Sequence, residues 1–150
     1  MLNIKTKLYN YCVSTIEGKL NTINSVFDSA QASANNETKS TAGDKHDTAR
    51  AMAHLESEKN AKQLVEIIKL KRVLPYLNDY KLSDKVELGS LVKTNTGNYY
   101  LSISLGKTVI DDIDYFLISA VTPIGKLLIG KKVGDTISFN GKVIEVVKIL

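Results

Sequence analysis

Near Pro75 the chain changes its hydrophobic period, and that switch asks for two different kinds of structure. From about Ile4 to Ala34 the residues Leu8, Cys12, Ile16, Leu20, Ile23, Phe27 and Ala30 return at steps of three and four. They form one helical stripe with a near-heptad repeat. Gly18 falls inside the stretch and costs it about 1 kcal/mol relative to Ala, too little to stop so long a helix. The polar run "ANNETKSTAGD" ends the stripe with turn-forming residues. A second stripe follows through Ala51, Met52, Leu55, Ala61, Leu64, Val65 and Ile68. It runs to Pro75, which lacks an amide proton and restrains the residue before it, and so is expected to end the helix. Two such helices of roughly 30 residues, joined by a short turn, predict an antiparallel hairpin about 45 Å long at 1.5 Å per residue. With one narrow seam and no second layer, it suits a projecting arm better than a compact body.

After "PYLNDYKLSD" the period becomes two. The runs "VELGSLVKTN", "NYYLSISLG", "DYFLIS", "DTISFN" and "KVIEVVKIL" are alternating or continuous β-branched stretches and predict strands. Thr96-Gly97-Asn98 supplies a hairpin turn between the first two, and Asn140-Gly141 a stronger one between the last two. One helical piece, "TPIGKLLIGK", interrupts them, with Pro123 in its first turn and Gly130 at its end. The fold class is therefore α+β. An N-terminal antiparallel helical hairpin, a coiled coil over residues 1–77, precedes a mostly antiparallel β domain with one short helix over residues 78–150.

Composition narrows the function classes. Hydrophobic residues make up 43% of the 150 and charged residues 24%, the balance of a globular protein rather than a disordered tail. No run approaches the roughly 18 apolar residues a membrane span requires. The first twenty residues carry scattered charges and no cleavable apolar block, so no signal peptide is expected. Cys12 is the single cysteine and has no disulfide or zinc partner; a small buried helix residue is its ordinary role. Together these features point to the cytoplasm. The net charge of +4 is too mild for tight direct DNA binding, which needs clustered phosphate contacts.

Charge distribution says more. Lys5 and Lys7, with Lys69, Lys71 and Arg72, would gather at one end of an antiparallel pair, and Glu37, Asp44 and Asp47 at the other. A solvated face is the plain reading of such a basic cluster. His46 and His54 lack any cysteine companion for zinc and read as exposed helix residues. One of Tyr99 and Tyr100 should face the core by strand alternation. No nucleophile–base arrangement or phosphate-cradling glycine loop is present.

The segment "KSTAGDKHDTARAM", residues 39–52, places Asp44 and Asp47 three residues apart between the two helical stripes. Two carboxylates at that spacing can cap a helix and complement its dipole. They can also offer hard oxygen ligands to a divalent cation. The spacing alone leaves both readings open.

A resemblance bears on the choice. The C-terminal segment "ISAVTPIGKLLIGKKVGDTISFNGKVIEVVKI", residues 118–149, resembles the end of the bacterial Gre transcript-cleavage factors, GreA and GreB. The matching residues are Ile118, Ser119, Pro123, Ile124, Gly125, Leu128, Gly130, Lys131, Gly134 and Asp135, and "VELGSLVKT" resembles the family's first strand through Gly89 and Ser90. The resemblance implies an FKBP-like β domain without isomerase activity; the absence of Trp and the scarcity of Phe agree.

It also implies that the hairpin enters the secondary channel of RNA polymerase. At its tip the family carries a Gly-Asp-x-x-acid element, onto which Gly43, Asp44 and Asp47 fall, with Asp for Glu. Asp44 and Asp47 would then help hold a second Mg²⁺ at the polymerase's active site and stimulate cleavage of backtracked RNA, with polymerase as the enzyme. The implied partners are RNA polymerase and the nascent RNA and DNA of the elongation complex. The chain is expected to be a monomer, with no membrane partner. Lys69, Lys71 and Arg72 are candidates for polymerase or RNA contact. The alternative is a non-cleaving regulator that occupies the same channel, because Lys45, His46, Thr48 and Arg50 depart from the family's tip and Asp47 is one methylene shorter than Glu.

Overall fold

The computed structural model describes residues 3–37, 43–77 and 83–150, with the backbone alone for 33–37, 43–47 and 49. In space they form two compact units: the chain up to Val13 with Arg72–Leu150, and Ser14–Lys71. Helix α1 (Ile4–Glu37) and helix α2 (Gly43–Leu77) each run through both.

Within Ser14–Lys71, α1 presents the face read from its sequence. Ile16 and Ile23 are buried there, and Leu20, Phe27 and Ala30 are half-buried. The seam of α2 differs in part from the expected stripe. Met52, Leu55 and Val65 are 66%, 64% and 50% exposed. The buried and half-buried positions are Ala53, Asn60, Leu64, Ile67, Ile68 and Leu70, so that of the expected stripe Leu64 and Ile68 are among them. A buried Asn in the seam hid the true phase, because a count of apolar residues passes over it. Pro75 does not end α2, which continues to Leu77. In the last turn a proline forfeits one backbone hydrogen bond. Burial of Leu74 and Leu77 on either side of it, at 8% and 3% exposure, outweighs that loss.

The other unit is built on a six-stranded sheet in the order β3-β4-β2-β1-β6-β5. Its strands are β1 (Leu91–Thr94), β2 (Asn98–Leu101), β3 (Gly106–Ile110), β4 (Ile113–Ile118), β5 (Thr136–Phe139) and β6 (Lys142–Ile149). All neighbours pair antiparallel except β2 and β4, which are parallel. Helix α3 (Pro123–Leu128) sits in the crossover. One sheet face carries Val92, Leu101, Ile137, Ile144 and Val146, which pack with Val86 and with Ile124 and Leu128 of α3. The alternate residues Leu91, Tyr100, Tyr115 and Leu117 are equally buried on the opposite face. The helix ends belong to this unit and bury Leu8, Cys12, Leu74 and Leu77. They are tied to the loops around the sheet: Lys7 Nζ lies 2.5 Å from Asp111 Oδ2, and Leu77's carbonyl lies 3.3 Å from where a Cβ on Gly89 would stand.

Two expected strands change and one strand is new. Val86–Ser90 is a turn, with Gly89 at φ +90° and the Glu87 amide donating to Ser90 Oγ at 2.9 Å. The second run stops at Leu101, after which the Ser102 hydroxyl donates to the Tyr100 carbonyl at 3.3 Å. Strand β3, "GKTVI", was not expected from the sequence. It turns into β4 through Asp111 and Asp112, both left-handed at φ 52° and 64°. The Asn140-Gly141 hairpin forms as read, with φ 50° and 76°.

Candidate functional site

Asp44 and Asp47 have helical backbone and stand in the first two turns of α2. Positions i and i+3 share a helix face, with Cβ atoms about 5–6 Å apart. Their side chains, with those of Lys45, His46 and Glu37, lie outside the described residues, as does the connector 38–42. The donor set suits Mg²⁺: two carboxylates are a common protein contribution to that ion, which keeps waters or phosphate oxygens in its remaining positions. Among the described residues no three His, Cys, Asp or Glu side chains gather into a group that could hold a metal.

The basic residues separate on inspection. Lys69, on the exposed side of α2, is engaged by Glu66 at 3.1 Å, one helical turn away. Lys71 and Arg72 are exposed. Lys7 is paired with Asp111. Lys5 is half-buried, and burial lowers its pKa. His54 is exposed and its Nε2 sits 3.2 Å from Glu58 Oε1, an ordinary helix-surface pair.

The segment that carried the family resemblance is a turn system. The Thr122 hydroxyl caps α3 by accepting from the Gly125 amide at 3.2 Å and donates to the Ser119 carbonyl at 2.7 Å. Pro123 follows the cap, where its missing N–H matters least. A Cβ on Gly125 would stand 2.0 Å from the Ser119 oxygen, so no other residue fits there without a shift. Gly130 and Gly134 are left-handed at φ 82° and 94°. Their amides donate to the carbonyls of Val86, before β1, and Val146 of β6, tying the segment that follows α3 to the sheet unit. Asp135 Oδ2 accepts from the Lys132 amide at 2.8 Å, closing the turn. Thr122 is the residue that sequence reading missed, although a hydroxyl directly before Pro is a recognisable cap signal.

Two further groups are structural. Cys12 is fully buried, and burial pushes its thiol up to about 11, with a hydrogen bond to Ser102 pulling the other way. Tyr100 is buried while half-buried Tyr99 stacks on Phe116 with centroids 5.5 Å apart, as strand alternation requires. In the Ser14–Lys71 unit the two helices also leave an open groove of about 830 Å³, which no sequence motif announced.

No family model matches the chain, and no curated protein matches it. Among solved structures, the crystal structure of GreA factor homolog 1 (Gfh1) of Thermus thermophilus is similar at 19% identity and a TM-score of 0.35, covering 95% of this chain and 94% of that one.

Proposed function

We propose that this protein is a Gre-type transcription factor that binds RNA polymerase through its secondary channel and brings Asp44 and Asp47 to the polymerase's active site. The observation that carries the reading is the start of α2 at Gly43, which sets both acids at the beginning of a 35-residue helix. From Asp44 to Arg72 that helix extends for about 42 Å at 1.5 Å per residue, the reach such a role needs. The turn system of residues 118–135 adds support, since each matching residue has a physical place in the fold.

In this reading the chain is an accessory factor, and the polymerase supplies the nuclease centre. A second Mg²⁺, held in part by Asp44 and Asp47, supplies water activation and stabilises the leaving oxygen in an in-line displacement. This chain's own work is to position two carboxylates. Lys71 and Arg72, with Lys69, are the proposed contacts to polymerase or to the RNA and DNA of the elongation complex. The factor acts as a monomer in the cytoplasm.

A second reading, occupation of the channel without cleavage, is favoured by the tip itself. Lys45 and His46 place two potential cations between the acids, and Asp47 reaches more than about 1 Å less far than Glu, enough to spoil a ligand position. The test uses polymerase of the same organism, stalled in a backtracked complex with end-labelled RNA. Transcript shortening with Mg²⁺ is followed for the protein and for an Asp44→Ala/Asp47→Ala variant. Faster cleavage that the variant lacks, with binding retained, supports metal delivery. Binding without cleavage selects the second reading, and loss of binding by the unaltered protein refutes both.

A further inference from the structure

The helical pair is incompletely closed along one side. Between Thr15 and Val26 of α1, and Lys62 and Leu70 of α2, lies the open groove of about 830 Å³. Its floor is apolar: Ile23 is buried, and Val26, Ile67 and Leu70 are half-buried, so part of each faces into the groove. Lys19 and Lys62 stand exposed on its rim, and neither has an ion partner among the described residues. The one acid on the rim, Glu66, is neutralised by Lys69 at 3.1 Å. The wall of the groove contains Gly18, where an added Cβ would meet nothing within 4 Å.

Gly18 is the telling residue. It sits in mid-helix without the left-handed backbone that would demand glycine. Neither does contact with α2 demand it, because the space beside it is open. Glycine in a helix interior weakens the helix. A bare backbone on a groove wall does permit one thing, the close approach of another main chain.

We propose that this groove seats one amphipathic helix of a partner protein, its apolar stripe on the floor, its backbone nearest Gly18 and its flanking carboxylates facing Lys19 and Lys62. The open stretch of α1 is about 16 Å long, three turns of helix, at 1.5 Å per residue. That length fits recognition through anchors at i, i+3 or i+4, and i+7. The unpaired lysines select an acidic-flanked helix over a basic one, since complementary charge sets partner choice and like charge opposes it. The inference does not depend on the polymerase reading.

The experiment titrates the isotope-labelled full chain with two synthetic helical peptides of about three turns. Both carry leucines at i, i+3 and i+7; one is flanked by glutamates and the other by lysines. The glutamate peptide is expected to shift the Gly18 amide resonance saturably, with affinity at least tenfold above that of the lysine peptide. A Lys19→Glu/Lys62→Glu variant should reverse the preference. Gly18→Leu should weaken binding at least tenfold while its thermal unfolding stays level or rises, the combination that a purely structural glycine would not give. Gly18→Ala, adding one methyl to open space, should show a smaller loss with the fold intact. No saturable shift, equal affinity for the two peptides, or unchanged binding by Gly18→Leu would overturn the proposal. So would a Gly18 shift that tracks protein concentration without peptide, which would assign the groove to a second copy of the chain.

Discussion

Replacing Gly125 by Ala should damage the sheet unit more than any other single methyl added at a glycine whose surroundings are described. The new Cβ would lie 2.0 Å from the Ser119 oxygen, 3.0 Å from its carbonyl carbon and 2.9 Å from Thr122 Oγ1. That carbonyl cannot simply turn away, because it accepts from the Thr122 amide at 3.2 Å and from the Thr122 hydroxyl at 2.7 Å. Relief requires giving up both bonds, and the cap from Gly125 N to Thr122 Oγ1 goes with them. At about 1 kcal/mol each, the three bonds amount to about 3 kcal/mol. Alanine's better helix propensity returns about 1 kcal/mol. Displacing Ile124 and Leu128 in the packed layer adds about 1–3 kcal/mol. The net loss is on the order of 3–5 kcal/mol, a large share of the roughly 5–15 kcal/mol that holds a domain folded.

Urea unfolding followed by tyrosine emission measures this loss, with Tyr99, Tyr100 and Tyr115 reporting from the sheet. Thr122→Ala alone should lose about 1 kcal/mol, the usual worth of a cap. The double variant should lose about as much as Gly125→Ala alone, because the clash with Ser119 has already broken the cap. A loss below about 1 kcal/mol for Gly125→Ala would refute the reasoning, as would additive losses in the double variant.

Two other residues give independent checks. Asn60 is 5% exposed and its Nδ2 has no hydrogen-bond partner among the described residues. Since an unsatisfied buried amide costs about 1–3 kcal/mol, Asn60→Leu should raise the denaturant midpoint of the helical pair, read by circular dichroism. Cys12 has its thiol raised from 9.0 to about 11, so between those values the unfolded chain holds fewer protons at this site than the folded one. Stability should therefore fall as pH rises from about 9 towards 11, and Cys12→Ala should flatten that slope even though it lowers stability at neutral pH.

What could be read from the sequence was whatever a local rule decides. The period change located the helices and the sheet, and Asn140-Gly141 and Pro123 marked a hairpin and a helix start, because turn type and proline geometry depend on a few adjacent residues. The misreadings came from opposing long-range effects. Pro75 was expected to stop α2, but Leu74 and Leu77 gain burial only if the helix goes on past it, and that burial depends on residues far along the chain. Strand β3 carried too short an apolar run to stand out, and its turn is made by two left-handed aspartates rather than the Asn-Gly pair that announces most such turns. Asn60 put a polar residue where the heptad count wants an apolar one, and so displaced the expected seam towards Leu55 and Val65. The candidate site divides in the same way. Asp44 and Asp47 stand out as candidates from spacing and family likeness, since residue type and spacing are local, while their side chains lie outside the described residues. The groove could not be read from the sequence, because an opening between two helices is a property of how they pack. Gly18 was visible from the outset as a weakness of α1. Only the empty space beside it turns that weakness into a reason to look for a partner.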